Sequence, residues 1–247
     1  MEKIYSRTKT IQEDKVSGFC PGCMHSTVIK LIGEVLDEMN LVDRAASVLG
    51  IGCCGLHMDY IAYDTTTAPH GRACAVATGM KRANPDTLVF TYQGDGDFAS
   101  IGMAESIHAA NRGENITVIF INNGIYGMTG GQMAPTTLEG QRTTTSPRGR
   151  DVRTTGDPMN IMELLKPLDP AYLARGSMTS NAEILKTKKY IRTAFEAQER
   201  GMGYSFVEIL SPCPTNWGLS AMDAVARIRA EVVPVYPLGE FVKKEGL

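Results

Sequence analysis

TLVFTYQGDGD, residues 87–97, and ITVIFINN, residues 116–123, decide how this chain is read. Each opens as a run of β-branched and aromatic residues without polar alternation, the pattern of a strand buried on both faces. Each then breaks into small or polar residues: Gly94-Asp95-Gly96-Asp97 after the first run, Asn122-Asn123 after the second. The 25 residues between Gly96 and Asn122 suffice for one helix, expected at Phe98–Arg112, and one strand. Both polar tips are therefore expected at one carboxyl edge of a parallel sheet, where open α/β sheets bind their ligands.

Working outward, His25–Asn40 places Val28, Leu31, Ile32, Val35, Leu36 and Met39 at helical spacing. Ala45–Ile51 reads as a strand running into a Gly-Cys-Cys-Gly loop, and Gly71–Arg82 as a small-residue helix packed close to a sheet. A helix is expected near Asn181–Arg200, a strand at Tyr204–Leu210 and a helix near Ser220–Val232. Gly130–Pro158, rich in Thr, Gly, Pro and Arg, has no apolar period and reads as a long irregular loop, functional or partner-binding. The fold class expected is α/β: one domain over residues 1–247, with a mostly parallel sheet covered by helices on both faces.

Composition narrows the function. A formal net charge of −2 leaves no electrostatic footprint for nucleic acid or an anionic membrane. The polar start MEKIYSRTKTIQEDKV lacks a signal-peptide core, and no stretch reaches eighteen uninterrupted apolar residues. A cytoplasmic location is the expectation. Six cysteines in such a chain point to metal or redox chemistry rather than disulfides.

At the tips, Gly94 and Gly96 let backbone approach a bulky anion, and a helix after Asp97 would offer free N–H groups to phosphate oxygens. Asp95 fits such a place only if a cation lies between, and magnesium, bound by a carboxylate plus phosphate oxygens, meets the requirement. Gly-Asp-Gly alone is a common turn; its pairing with Asn-Asn, each after a buried strand, is the informative feature.

The other constellation is Cys20-Pro-Gly-Cys23, which suits zinc, an iron–sulfur cluster or a redox pair. Further thiolates would come from Cys53 or Cys54 in the glycine loop and from Cys213 in Ser-Pro-Cys-Pro. Cys74, inside the small-residue helix, reads as a buried small hydrophobe. Spacing does not separate zinc from iron.

FCPGC, GIGC, His70-Gly71-Arg72-Ala73, GDGD, NN-x-x-YG and SPC, in that order over residues 18–220, resemble the β subunits of 2-oxoacid:ferredoxin oxidoreductases. The resemblance implies thiamine diphosphate, Mg2+ and a [4Fe–4S] cluster. Magnesium would be held by Asp95, Asn123 and the Ile125 carbonyl. Gly94, Gly96, Asp97, Gly127 and Met128 would line the diphosphate and neighbouring ring, with Ile51, Gly52, Cys53, Cys54, His70 and Thr78 beside the cofactor. His70 is the catalytic candidate. Cys20, Cys23, Cys53 and Cys213 would hold the cluster, with Cys54 as the substitute for Cys53. His25, His57 and His108 have no comparable context and read as surface or core residues.

The implied reaction is oxidative decarboxylation of a 2-oxoacid to acyl-coenzyme A and carbon dioxide, with electrons leaving through the cluster to ferredoxin. Leu56 after the cysteine loop and the segment Tyr126–Thr137 resemble the branch acting on 3-methyl-2-oxobutanoate; 2-oxoglutarate is the alternative substrate. The activating acid has no candidate here, since Glu34 and Glu38 lie on an ordinary helix. A partner α subunit would supply that glutamate and the oxoacid pocket, with γ and ferredoxin-like δ subunits completing the assembly. The rival readings are an iron-free thiamine-dependent decarboxylase or synthase and a structural zinc module that binds protein.

Overall fold

The computed structural model describes residues 7–247; residues 1–6 of the polar start and of the expected domain lie outside them. Its elements in chain order are α1 (His25–Glu38), β1 (Ala45–Leu49), β2 (Asp64–Thr67), α2 (Ala73–Ala83), β3 (Leu88–Gly94), α3 (Met103–Asn111) and β4 (Thr117–Asn122). Then follow β5 (Ile125–Tyr126), β6 (Gln132–Met133), α4 (Val152–Thr155), α5 (Ile161–Leu165), β7 (Tyr172–Ser177), α6 (Asn181–Glu199), β8 (Ser205–Leu210), α7 (Pro214–Trp217), α8 (Ala221–Arg227) and β9 (Gly239–Lys243).

Among the described residues, one seven-stranded sheet has the order β2-β1-β3-β4-β8-β7-β9. All its pairings are parallel except that of β7 with β9. The alternation of side chains along the strands sorts the core into two layers. Phe90, Tyr92, Ile119, Ile121, Val207 and Ile209 pack with α1 and α6. Val89, Val118, Phe120, Leu173 and Phe206 pack with α2, α3 and α5 on the other face. Both faces are covered, as the uninterrupted apolar strands require.

Two departures from the sequence reading have physical causes. The helix expected over Phe98–Arg112 is split: a π-helical turn spans Asp97–Ile101, and the regular helix starts after Gly102. The split occurs where two loops touch, because a Cβ on Gly102 would lie 2.5 Å from the Gly71 carbonyl oxygen. Strand β7 was not anticipated, since Arg175 interrupts its apolar run. In the fold Arg175 is fully buried, its Nε donating to Glu208 Oε2 at 2.8 Å and a terminal nitrogen donating to Asn160 Oδ1 at 2.8 Å. A buried charge persists only when so paired.

The excursion at 130–158 is largely irregular, as expected, yet it is anchored. Arg150, buried, donates to the carbonyl oxygens of Pro135 (2.8 Å), Thr137 (2.7 Å) and Asp157 (2.9 Å), and also to those of Thr155 and Gly156. Arg150→Ala strips charged donors from several carbonyls at once. It is expected to destabilise the protein by about 3 kcal/mol, a fall in Tm of roughly 6–12 °C measurable by calorimetry. Among the described residues, no helix is long and apolar enough to cross a membrane.

Candidate active site

β1 and β3 are adjacent, yet the chain leaves β1 toward β2 on one side and builds outward from β3 on the other. At that divergence the carboxyl ends of the strands open into a crevice. Its walls are Ile51–Cys54 after β1, Gly94–Asp97 after β3 and Asn123–Thr129 after β4, with His70, Ile121 and His25. The sequence-derived residues thus meet in one cleft, with one exception at the cofactor end. Thr78 does not line it; it is buried on α2, its hydroxyl donating to the Cys74 carbonyl oxygen at 2.8 Å.

Asp95 is only 2% exposed. Its Oδ1 accepts from Gly96 N–H at 2.8 Å, and its Oδ2 from Gly124 N–H and the Thr136 hydroxyl, both at 2.7 Å. Burial nevertheless pushes its carboxyl up to about 6, so the anion calls for a nearby cation. Asn123, half-buried at the neighbouring tip, accepts at Oδ1 from Ile125 N–H at 3.2 Å. A carboxylate and an amide oxygen on adjacent strand ends form a hard-oxygen donor set that fits magnesium.

The glycines of the motif divide by purpose. A Cβ on Gly96 would lie 2.2 Å from the Tyr126 ring, so this glycine seats Tyr126, whose hydroxyl donates to the Gly96 carbonyl at 3.3 Å. A Cβ on Gly94 would meet nothing within 4 Å, so this glycine keeps cleft space open. Gly94→Val is therefore expected to leave Tm unchanged while weakening thiamine-diphosphate binding at least tenfold, about 1.4 kcal/mol, as read by fluorescence titration.

Asp97, expected against the diphosphate, does more than line the cleft. Its Oδ1 accepts from His70 Nδ1–H (2.5 Å), Gly71 N–H (2.8 Å) and Ile51 N–H (3.1 Å), and its Oδ2 from Gln93 Nε2–H (2.6 Å). It ties three cleft loops together and leaves Nε2 as the free nitrogen of His70. Gly50 makes room for it, since a Cβ there would lie 2.4 Å from Asp97 Oδ2.

Next to this cleft lie the thiols. A methyl group placed on Gly127 would sit 3.4 Å from Cys53 Sγ, 3.7 Å from Cys213 Sγ and 3.8 Å from Asn123 Nδ2. One turn thus borders both Asn123 and the sulfurs. Asn216 fastens it, donating to the Gly127 carbonyl at 2.8 Å and to Cys213 Sγ at 3.5 Å. Burial pushes the Cys23 thiol up to about 12; His25 N–H opposes this, while Cys213, Cys53 and Cys20 add to it. Burial pushes Cys53 up to about 11, with Cys213 and Cys20 contributing. The four thiols are close enough to feel one another, and a positively charged group among them would release their protons. Gly22 holds the C-x-x-C turn down: at φ +78° it packs where a Cβ would lie 2.5 Å from that of Ala221.

Cys54 is separate. It is 2% exposed, with its thiol donating to the Gly50 carbonyl at 3.1 Å. Cys74 is fully buried, donating to Gln93 Oε1 at 3.3 Å. Glu34 and Glu38 both pair with Lys188, at 2.7 and 2.6 Å, on the α1–α6 surface.

Sequence reasoning missed His25, Tyr126, Thr136 and Asn216. His25 is buried against the cleft, its Nδ1 paired with the Tyr92 hydroxyl at 2.6 Å. Its place two residues after Cys23 was the available signal. Thr136 carries none, because its partner Asp95 is remote in sequence, whereas the position of Asn216 three residues after Cys213 was a usable signal.

The thiamine pyrophosphate enzyme, C-terminal TPP binding domain family matches residues 50–209. Ketoisovalerate oxidoreductase subunit VorA of Methanothermobacter thermautotrophicus is 46% identical over 224 residues, covering 90% of this chain and 47% of that protein. 2-Oxoglutarate synthase subunit KorB of Archaeoglobus fulgidus is 36% identical over 211 residues, covering 85% of this chain and 75% of that protein. Among solved structures, the 2-oxoglutarate:ferredoxin oxidoreductase from Magnetococcus marinus, with 2-oxoglutarate, coenzyme A and succinyl-CoA bound, matches with a TM-score of 0.80 at 26% identity. That match covers 99% of this chain and 87% of the other. The chain spans about half the length of the ketoisovalerate relatives, 47% of each.

Proposed function

The chain belongs to the thiamine-diphosphate-binding subunits of the 2-oxoacid:ferredoxin oxidoreductases, and on that premise we propose that it forms, with a partner subunit, an enzyme converting a 2-oxoacid to acyl-coenzyme A and carbon dioxide. The observation that carries this reading is the Gly127 turn, which borders Asn123 on one side and the Cys53 and Cys213 sulfurs on the other. An organic cofactor anchored at the strand tips would lie next to an electron acceptor.

Asp95, Asn123 and the Ile125 carbonyl would hold magnesium. Gly94, Gly96, Gly127 and Met128 would border the diphosphate and ring. Thiamine diphosphate, when bound there, would supply a nucleophilic carbon for the oxoacid carbonyl and a sink for the electrons left on decarboxylation. A [4Fe–4S] cluster on Cys20, Cys23, Cys53 and Cys213 would supply the one-electron acceptor. His70, fixed through Nδ1 by Asp97, offers Nε2 to hold or accept a proton at the cleft wall. Asp97 keeps that ring aligned.

Four cysteine sulfurs suit a cluster or a zinc ion alike by type. The cluster is favoured because Cys53 and Cys213 border the Gly127 turn of the cofactor cleft, where an electron acceptor has a use and a structural zinc ion or an iron-free decarboxylase has none.

For the substrate, we propose 3-methyl-2-oxobutanoate or a similar branched-chain oxoacid. Leu56 and Met128 stand exposed near the cleft and would be this chain's apolar contribution to an oxoacid pocket shared with the α subunit. On the assembled enzyme kcat/KM is expected to favour 3-methyl-2-oxobutanoate over 2-oxoglutarate by at least about tenfold, the lower range of discrimination by apolar fit. A preference for 2-oxoglutarate would overturn the assignment.

The activating acid, coenzyme A contacts and onward electron carriers are assigned to partners: an α subunit, γ and δ subunits, and ferredoxin. Ile51 and Met128, exposed on the cleft wall, and Leu56 just past the cysteine loop offer an apolar rim for the α subunit. The chain alone is expected to give no 2-oxoacid-dependent viologen reduction.

A further inference from the structure

The excursion at 130–158 reads from sequence as a loop of open purpose. In the fold one of its residues reaches the centre of the candidate metal site. Thr136, 1% exposed, donates its hydroxyl to Asp95 Oδ2 at 2.7 Å across 41 residues of sequence. Gly124 N–H donates to the same oxygen at 2.7 Å, whereas Oδ1 accepts from Gly96 N–H at 2.8 Å. Oδ2 thus carries two hydrogen bonds of 2.7 Å, one from a side chain of the loop, and Oδ1 is the oxygen more open to a metal.

Thr136 is itself held firmly. The Tyr236 hydroxyl donates to its carbonyl at 3.0 Å, the next carbonyl, that of Thr137, accepts from Arg150 at 2.7 Å, and the Thr137 hydroxyl donates to Gly124 O at 2.6 Å. The loop is built as a strap over the strand tips.

We propose that Thr136 makes Asp95 a one-oxygen ligand and thereby selects magnesium over calcium at this site. The inference rests on the reading of Asp95 as a metal ligand given above. Magnesium takes six ligands at ~2.0–2.1 Å and is content with one carboxylate oxygen. Calcium takes six to eight at ~2.3–2.6 Å and gains from a carboxylate that offers both. Occupying Oδ2 removes a ligand that calcium would use and costs magnesium none.

The test uses the full protein in its assembly, stripped of divalent ions and thiamine diphosphate. Thiamine-diphosphate affinity is measured by equilibrium dialysis with magnesium or calcium as the sole divalent cation, for wild type, Thr136→Val and Thr136→Ser. Valine keeps the shape and removes the donor; serine keeps the hydroxyl. The calcium-to-magnesium ratio of apparent Kd is expected to fall at least tenfold in Thr136→Val, about the worth of one charge-assisted hydrogen bond. In Thr136→Ser it should stay within about twofold of wild type. An unchanged ratio in Thr136→Val, including equal weakening with both ions, overturns the proposal while leaving the metal-ligand reading intact. Wild-type binding with no divalent requirement overturns both. If Thr136→Val does not fold, Thr136→Ala is read in the same way.

Discussion

Replacing Asp95 by asparagine is expected to weaken magnesium-dependent thiamine-diphosphate binding by about a thousandfold, roughly 4 kcal/mol. The change is nearly isosteric, so size does not explain the loss. Both carboxylate oxygens already face donors, Gly96 N–H on one and Gly124 N–H with the Thr136 hydroxyl on the other. An amide must turn its NH2 toward one set or the other. It then breaks hydrogen bonds to a charged acceptor, about 1.5–3 kcal/mol each, or directs a donor at the metal. The remaining loss is the full charge itself, which the cation would otherwise neutralise in a site with little water. Titration of the stripped protein with thiamine diphosphate at saturating magnesium reads the effect. A loss of less than tenfold would remove Asp95 from the metal site.

Cys213→Ser is expected to abolish the thiolate-to-iron absorption of the anaerobically purified protein and to lower its iron from about four per chain to below one. Cys53→Ser should do the same, because the Cys53 and Cys213 sulfurs flank the one turn at Gly127. Cys54→Ser and Cys74→Ser are the decisive controls. The Cys54 thiol is committed to the Gly50 carbonyl and the Cys74 thiol to Gln93 inside the core, so both variants should keep their iron. Loss of iron in Cys54→Ser with retention in Cys53→Ser would exchange the two residues in the account. The geometry argues against that exchange, since Cys54 is buried 2% exposed on the Asp97 side of the loop, where Asp97 adds to the rise in its thiol pKa.

The centre of the fold was legible because it is written in local chemistry. Uninterrupted β-branched and aromatic runs can only be doubly covered strands, and β3 and β4 lie where those runs predict, their tips in register as neighbours through Gly94 and Ile121. Most of the cleft followed from the tips. The sheet edges were not legible. β2 is Asp-Thr-Thr-Thr, partly exposed, with no apolar period to mark it. β7 contains a charge whose partners, Glu208 and Asn160, are 33 and 15 residues away. The helix after the Gly-Asp-Gly-Asp motif was visible, but its π-helical start was not, because the cause is a contact between Gly71 and Gly102.

The same division holds at the site. Asp95, the Asn122-Asn123 pair and the cysteines Cys20, Cys23, Cys53 or Cys54, and Cys213 are visible as candidates by residue type and position, while the choice of Asn123 and Cys53 came from the resemblance. Asp97 was visible as a cleft residue, but not as the acceptor that holds His70, Gly71, Ile51 and Gln93 together. Thr78 was placed at the cofactor by resemblance, whereas its hydroxyl is spent on its own helix. Thr136 is one threonine in a threonine-rich loop, and only the fold distinguishes it.

The most direct test of the account is quantification of bound thiamine diphosphate, iron and acid-labile sulfide in the protein purified without oxygen. About one thiamine diphosphate, four iron and four sulfide per chain are expected, the content of a single four-thiolate cluster beside one organic cofactor. Thiamine diphosphate without iron, or zinc in place of iron with no thiamine, would contradict it.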